Sequence, residues 1–261
     1  MRGQAEDTVD RLEAEDLARA RWYGFFSRWF LAPPDQQALD VFLEPGAGSA
    51  ESHREPAPNA ASASASSSAS ASASPSSSSP AAADGSPAAS SGWLQSAWES
   101  FAAAASRASL ADIRAAYDDT FISVGEAPVS LHASVYLTGF ANERPLAEVR
   151  QWLAEQGIQS SRAGLLTEDH LGLLCEAMAW LIIGNGNDDR DEHGQDDAGA
   201  GARTGGSDGA QRHLFMNYIS TVCDDFCHRL SETPGAGIYR ELGHLFAAFC
   251  AIERQAFDIE R

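Results

Sequence analysis

Lysine is absent from this 261-residue chain: all 18 basic residues are arginine, set against 37 acids, for a net charge of −19. Genomic base composition accounts for the preference for Arg over Lys, but the shortage of positive charge excludes more. Nucleic-acid binding relies on clustered cations that replace the counterions of the phosphate backbone. Two low-complexity segments, Pro45–Gly92 and Gly184–Ala210, carry −2 and −5, so the remainder is still acidic at about −12. A nucleic-acid partner is therefore not expected, whereas a basic peptide suits such a surface. Long apolar runs are missing too. No stretch reaches the roughly 18–20 apolar residues that cross a bilayer, and Met1–Arg19 is charged where a secretory signal would be apolar. These features lead us to expect a cytoplasmic chain without membrane insertion.

Catalytic signatures are equally scarce. There is no G-x-S-x-G elbow, phosphate loop or H-E-x-x-H pair. Glu168, Asp169 and His170 are adjacent, and neighbours on a helix point in different directions rather than at one substrate atom. No enzyme activity and no cofactor are expected. Cysteine is limited to Cys175, Cys223, Cys227 and Cys250, all inside apolar helical patterns. Free cysteines in such patterns behave as small hydrophobes, so no disulfide framework is implied. Cys223-x-x-x-Cys227-His228 places two thiols on one helix face, yet it lacks the C-x-x-C knuckle of ordinary zinc sites.

What the chain does contain is helical periodicity. Trp22, Phe25, Phe26, Trp29 and Phe30 form one bulky stripe, and Pro33-Pro34 ends that helix because proline lacks the amide donor. A short helix is expected over 36–43. Pro45–Gly92 has too few large apolar groups to offset the entropy of ordering and reads as a disordered insertion. Helical stripes resume with Trp93, Leu94, Trp98 and Phe101, then Ile113, Ala116, Tyr117, Thr120 and Phe121. A short helix is expected over Ser130–Phe140. Leu146, Val149, Trp152 and Leu153 face one side of the next helix, with Pro145 in its first turn and Gly157 at its C-terminal cap. Thr167 is the expected N-cap of a helix starting at Glu168, whose buried face is Leu171, Leu174, Cys175, Met178, Leu181 and Ile182. An acidic loop (184–210) precedes two long helices broken at Pro234-Gly235. The fold class is an all-α bundle of about eight to ten helices.

Three blocks within Ala116–Ile183 stand in a telling order: Tyr117 ahead of Phe121, then Ser134-Val135-Tyr136, then Asp169-His170. Together they resemble the TorD/DmsD family of chaperones for molybdenum-containing redox enzymes, whose blocks are Y-x-x-L-F, E-S-V-Y and E-P-x-D-H. Here Ala133 replaces the glutamate of the second block, and Leu166 and Thr167 replace the Glu and Pro of the third. A further helix, Gln211–Leu230, keeps the family's apolar spacing through Phe226 and Leu230.

The resemblance implies a TorD-like fold with N- and C-terminal subdomains: N-terminal helices in 1–44, the insertion at 45–92, the rest of the N-terminal subdomain in 93–166, and a C-terminal subdomain in 167–261. It also implies a chaperone that binds the precursor of a molybdopterin oxidoreductase catalytic subunit. The chaperone would hold the twin-arginine signal peptide until the molybdenum cofactor is inserted. On that reading Asp169 pairs with a peptide Arg, Tyr136 and His170 shape the groove, and Ser134 and Glu168 complete the peptide-binding set. The plain alternatives are a helix cap at Asp169-His170 and a core tyrosine at Tyr136. Rival functions are an assembly chaperone of the nitrate-reductase type for a non-exported subunit, and a metal-binding or regulatory bundle built on Cys223, Cys227 and His228. Members of the family occur as monomers or helix-exchanged dimers.

Overall fold

The computed structural model describes residues 2–36, 39, 87–122, 127–141, 143–159, 165–185 and 206–259. Within them eight helices and no strand are found. They are α1 (Arg2–Leu31), α2 (Pro87–Arg107), α3 (Leu110–Phe121), α4 (Ala133–Thr138), α5 (Arg144–Glu155), α6 (Leu171–Asn185), α7 and α8 (Ile238–Ile259). Helix α7 runs unbroken through Gly206–Leu214, a π-helical turn at Phe215–Ile219 and Ser220–Glu232. The all-α expectation holds. No described helix is long and apolar enough to cross a membrane.

The aromatic stripe of α1 is the centre of the core. Tyr23, Phe26, Trp29 and Phe30 are all buried. Phe26 meets Phe246 of α8 edge-on at 4.9 Å, Phe30 meets Phe226 of α7 at 5.3 Å, and Trp29 meets Phe101 of α2 at 5.1 Å. Such edge-to-face pairs add to the area each ring buries. Helix α1 lies along α6, while α8 packs on α2 and α7. The hydrophobic cluster is continuous from Ala20 to Phe257, across the expected subdomain boundary at 166/167.

Local chemistry sets the helix ends. Ser109 and Asp112 form a reciprocal capping box at the start of α3, each side chain accepting the other's amide at 3.1 Å. Tyr117 Oη donates to the carbonyl of Phe30 at 3.0 Å and so satisfies a C-terminal carbonyl of α1. Gly157, as expected, follows α5 in the left-handed conformation (φ +74°). Its amide donates to the Ala154 carbonyl, and that of Ile158 to the Leu153 carbonyl, closing a Schellman motif.

Several boundaries differ from expectation. Helix α2 starts at Pro87, inside the segment read as insertion, since Ala and Ser tolerate helix once Leu94 and Trp98 anchor the turns that follow; Trp93, expected on the same face, is exposed. Only Ala133–Thr138 of the expected helix over Ser130–Phe140 is helical; Ser130 to His132 is extended. Helix α6 begins at Leu171 rather than Glu168, and α7 begins at Gly206, within the expected loop. Most of the helix expected over 36–43, residues 45–86 of the insertion and residues 186–205 of the acidic loop lie outside the described residues.

Candidate functional site

The segments carrying Ser134-Val135-Tyr136 and Asp169-His170 meet. Leu171 N donates to the Leu131 carbonyl at 2.7 Å and Ala133 N to the Asp169 carbonyl at 2.9 Å, forming an antiparallel bridge between His132 and His170. The two imidazole rings stand edge to face, 5.3 Å apart. Asp169 is fully buried, and both of its oxygens are used. Oδ2 accepts from Ser134 Oγ (2.5 Å) and Ser134 N (3.2 Å), while Oδ1 accepts from Thr167 Oγ1 (2.6 Å). Burial alone would raise the carboxyl pKa. The bonds from Ser134 and Thr167, together with the neighbouring His132, outweigh it and hold the pKa below its ordinary value.

This arrangement corrects the expected cap. The Thr167 hydroxyl donates to Asp169 instead of accepting a helix amide, and His170 is the residue that caps α6. Its carbonyl accepts the amide of Leu174, and its Nδ1 accepts that of Gly172 at 3.2 Å. His170 and Ser134 are buried. In this conformation Asp169 therefore presents no oxygen to a ligand; it ties the entry of α4 to the entry of α6. Tyr136 is half-buried, its hydroxyl donating to the Ser130 carbonyl at 2.7 Å and its ring facing Phe226, with the Arg229 guanidinium 5.4 Å from its centroid. Burial raises its pKa.

Two grooves flank α5. The larger, about 660 Å³, lies between α4, α5 and the π-helical turn of α7. Trp152 stacks on His213 there, 4.8 Å between centroids, beside Tyr218 of the π turn. The second, about 350 Å³, lies between the end of α5 and α6 and is walled by Leu153, Ile158, Glu168, Glu176, Ala177 and Trp180. Trp180 and Ile183 of α6 are each more than half exposed. Glu168 thus faces the second groove, while Asp169, its neighbour, turns inward.

Glu168 is paired with Arg150 of α5, whose Nε and Nη2 lie 3.0 and 2.8 Å from Glu168 Oε2. This bond lowers the Glu168 pKa. Sequence reasoning missed Arg150, Glu176 and Trp180. The signal was present for the last two: Leu173, Glu176, Ala177 and Trp180 repeat at i, i+3, i+4 and i+7, a second stripe beside the buried face of α6.

The thiols are all buried within the core. Cys223 and Cys227 Sγ are 3.9 Å apart, and burial drives the Cys175 and Cys250 thiols up. His228 is exposed and faces Glu232 at 3.4 Å, away from both thiols. Among the described residues no group of three His, Cys, Asp or Glu is placed to hold a metal ion. The set Cys223, Cys227 and His228 does not converge, because His228 follows Cys227 directly and is turned off the buried face.

The family model for the nitrate reductase delta subunit matches residues 88–228, more than half of the chain. The chain belongs to that family. It is a TorD-like family of molybdoenzyme assembly chaperones, which are not catalytic and work with a molybdoenzyme catalytic subunit. The match spans α2 to most of α7, and therefore the bridge at His132 and His170 and both grooves. A comparison with curated proteins finds no match.

Proposed function

We propose that this chaperone holds the N-terminal segment of a molybdopterin oxidoreductase precursor in the groove between α5 and α6 while the molybdenum cofactor is inserted. The observation that carries this reading is the pairing of two carboxylates, Glu168 and Glu176, with the apolar wall of Leu173, Ala177 and Trp180. A segment with arginines followed by an apolar helical stretch complements both features: guanidinium groups bond carboxylates, and aromatic side chains anchor the apolar part. Of the residues expected to contact peptide, Glu168 does so directly. Asp169, Ser134 and His170 act one step behind it by fixing the start of α6, and Tyr136 braces α4 at the edge of the larger groove.

The client is a twin-arginine precursor in the first form of this reading. The family match is equally consistent with a second form, an assembly chaperone of the nitrate-reductase type whose client segment has no twin arginine. Calorimetry with two synthetic peptides separates them: one bears paired Arg before an apolar stretch, and the other has both Arg replaced by Gln. Binding of the first, weakened at least tenfold in the second and in a Glu168→Gln/Glu176→Gln variant, supports the twin-arginine form. Equal binding of both peptides supports the nitrate-reductase form, and binding of neither overturns the reading.

A further inference from the structure

In the groove that the proposed function assigns to a client segment, the carboxylate of Glu168 is already paired with a guanidinium from outside the lining. We propose that Arg150 is a built-in placeholder for the client's arginine, occupying Glu168 in the empty chaperone and yielding it on binding. The inference rests on that assignment of the groove and adds a device that sets its affinity.

Three observations support it. Both polar contacts of the Arg150 guanidinium, at 3.0 and 2.8 Å, fall on a single oxygen of Glu168. The Arg150 side chain is 56% exposed and that of Glu168 only 21%. The carboxylate is thus fixed in the groove wall, and the guanidinium reaches it from outside on a flexible stem. Arg150 is also not part of the groove lining, whereas Glu168 is. An incoming arginine can therefore take over the carboxylate without moving any backbone, while Arg150 swings into water.

Energetics make the exchange feasible. A solvent-exposed ion pair contributes little net stability because hydration and side-chain entropy oppose it. The pair nonetheless leaves the carboxylate partnered in the empty groove. A ligand lacking a guanidinium gains nothing from the carboxylate, because Arg150 holds it from outside the groove. An arginine-bearing segment replaces the pair in kind, so the placeholder tempers the affinity for arginine. Such an exchange predicts a small, specific competition rather than an all-or-none gate.

The test uses the full chain and a synthetic peptide with paired arginines followed by an apolar helical stretch. Wild type, Arg150→Gln, Glu168→Gln and the double variant are titrated by calorimetry at low salt, with helicity checked by circular dichroism. Arg150→Gln should bind about two- to five-fold more tightly, the range an exposed ion pair can supply. That gain should vanish in the Glu168→Gln background and shrink as salt screens the competition. Arg150→Ala serves as a second variant and should give the same gain. Unchanged or weaker binding in both Arg150 variants, or a gain that persists without Glu168, overturns the placeholder while leaving the groove assignment standing. Absence of binding in every variant overturns both.

Discussion

Ser134 Oγ and Asp169 Oδ2 lie 2.5 Å apart, and the Ser134 amide donates to the same oxygen at 3.2 Å. One fully buried carboxylate thereby closes the start of α4 onto the start of α6. Thr167 Oγ1 takes its second oxygen, so three donors converge on one side chain. The tie also determines what faces the groove: with Asp169 turned inward, Glu168 on the preceding residue is left at the surface beside Trp180.

Removing that carboxylate should therefore cost stability before it costs binding. Asp169→Ala leaves the Ser134 amide and hydroxyl and the Thr167 hydroxyl without their acceptor, at an expected cost of about 2–4 kcal/mol. Asp169→Asn keeps one carbonyl acceptor and should lose less. Urea unfolding followed by circular dichroism measures both. An Asp169→Ala midpoint equal to wild type would show that the tie contributes nothing.

The same group gives the acid limb of stability a definite sign. Asp169 has a lowered pKa in the folded chain, so its stabilisation is complete above the ordinary aspartate value of 3.8 and is lost as pH falls through the lower folded value. The difference in stability between wild type and Asp169→Asn should accordingly be flat near neutrality and narrow below about pH 4. Unfolding curves collected from pH 7 down to pH 3 would reveal it. A difference that widens on acidification would contradict the assignment.

Periodicity made most of the bundle legible. Phe26, Trp29 and Phe30 of the α1 stripe, the α6 face from Leu171 to Ile182, and the Leu214–Leu230 spacing in α7 are buried as the apolar repeats require, while Trp22 and Phe25 pack half-buried against the same core. Pro33 and Gly157 end their helices for reasons written in single residues. The site was less legible, because it depends on contacts between segments. A one-pair bridge at His132 and His170 has no repeat to detect. Whether Asp169 caps its own helix or reaches Ser134 depends on what lies opposite. The π-helical turn at Phe215–Ile219 likewise leaves no mark in composition. Glu168 was singled out as a position, but the groove it lines is assembled from α5 and α6 and needed the fold.

Close packing at the α1–α6 crossing provides a steric test. A Cβ on Gly172 would lie 2.8 Å from Leu31 Cγ and 3.2 Å from His170 Nδ1, the atom that caps α6. Alanine normally favours a helix over glycine by about 1 kcal/mol. Here the clash with a branched carbon and with the cap should dominate. Gly172→Ala is expected to destabilise by about 1–3 kcal/mol. Leu31→Ala combined with Gly172→Ala should recover part of that loss, and a double-mutant cycle in urea would measure the coupling. A stabilised Gly172→Ala protein would mean that Leu31 moves aside freely.

The anchor of α1 on α8 is ionic, and its energetics are asymmetric. Glu253 is buried, and its oxygens accept from Arg19 Nε (2.9 Å), Arg19 Nη2 (3.0 Å) and Tyr23 Oη (2.8 Å). The Arg19 guanidinium also lies 5.4 Å from the centre of the Phe257 ring. Deleting one member of a buried pair strands its partner, whereas replacing the whole set with apolar groups removes the desolvation cost as well. Glu253→Ala should therefore cost about 3–5 kcal/mol, toward the lower end because Arg19 retains some contact with water. Arg19→Met, Tyr23→Phe and Glu253→Leu together should be markedly more stable than Glu253→Ala alone. Equilibrium urea unfolding with unchanged m-values would make the comparison valid. If the triple variant is no more stable than the single one, the network supplies net stability that apolar packing does not replace.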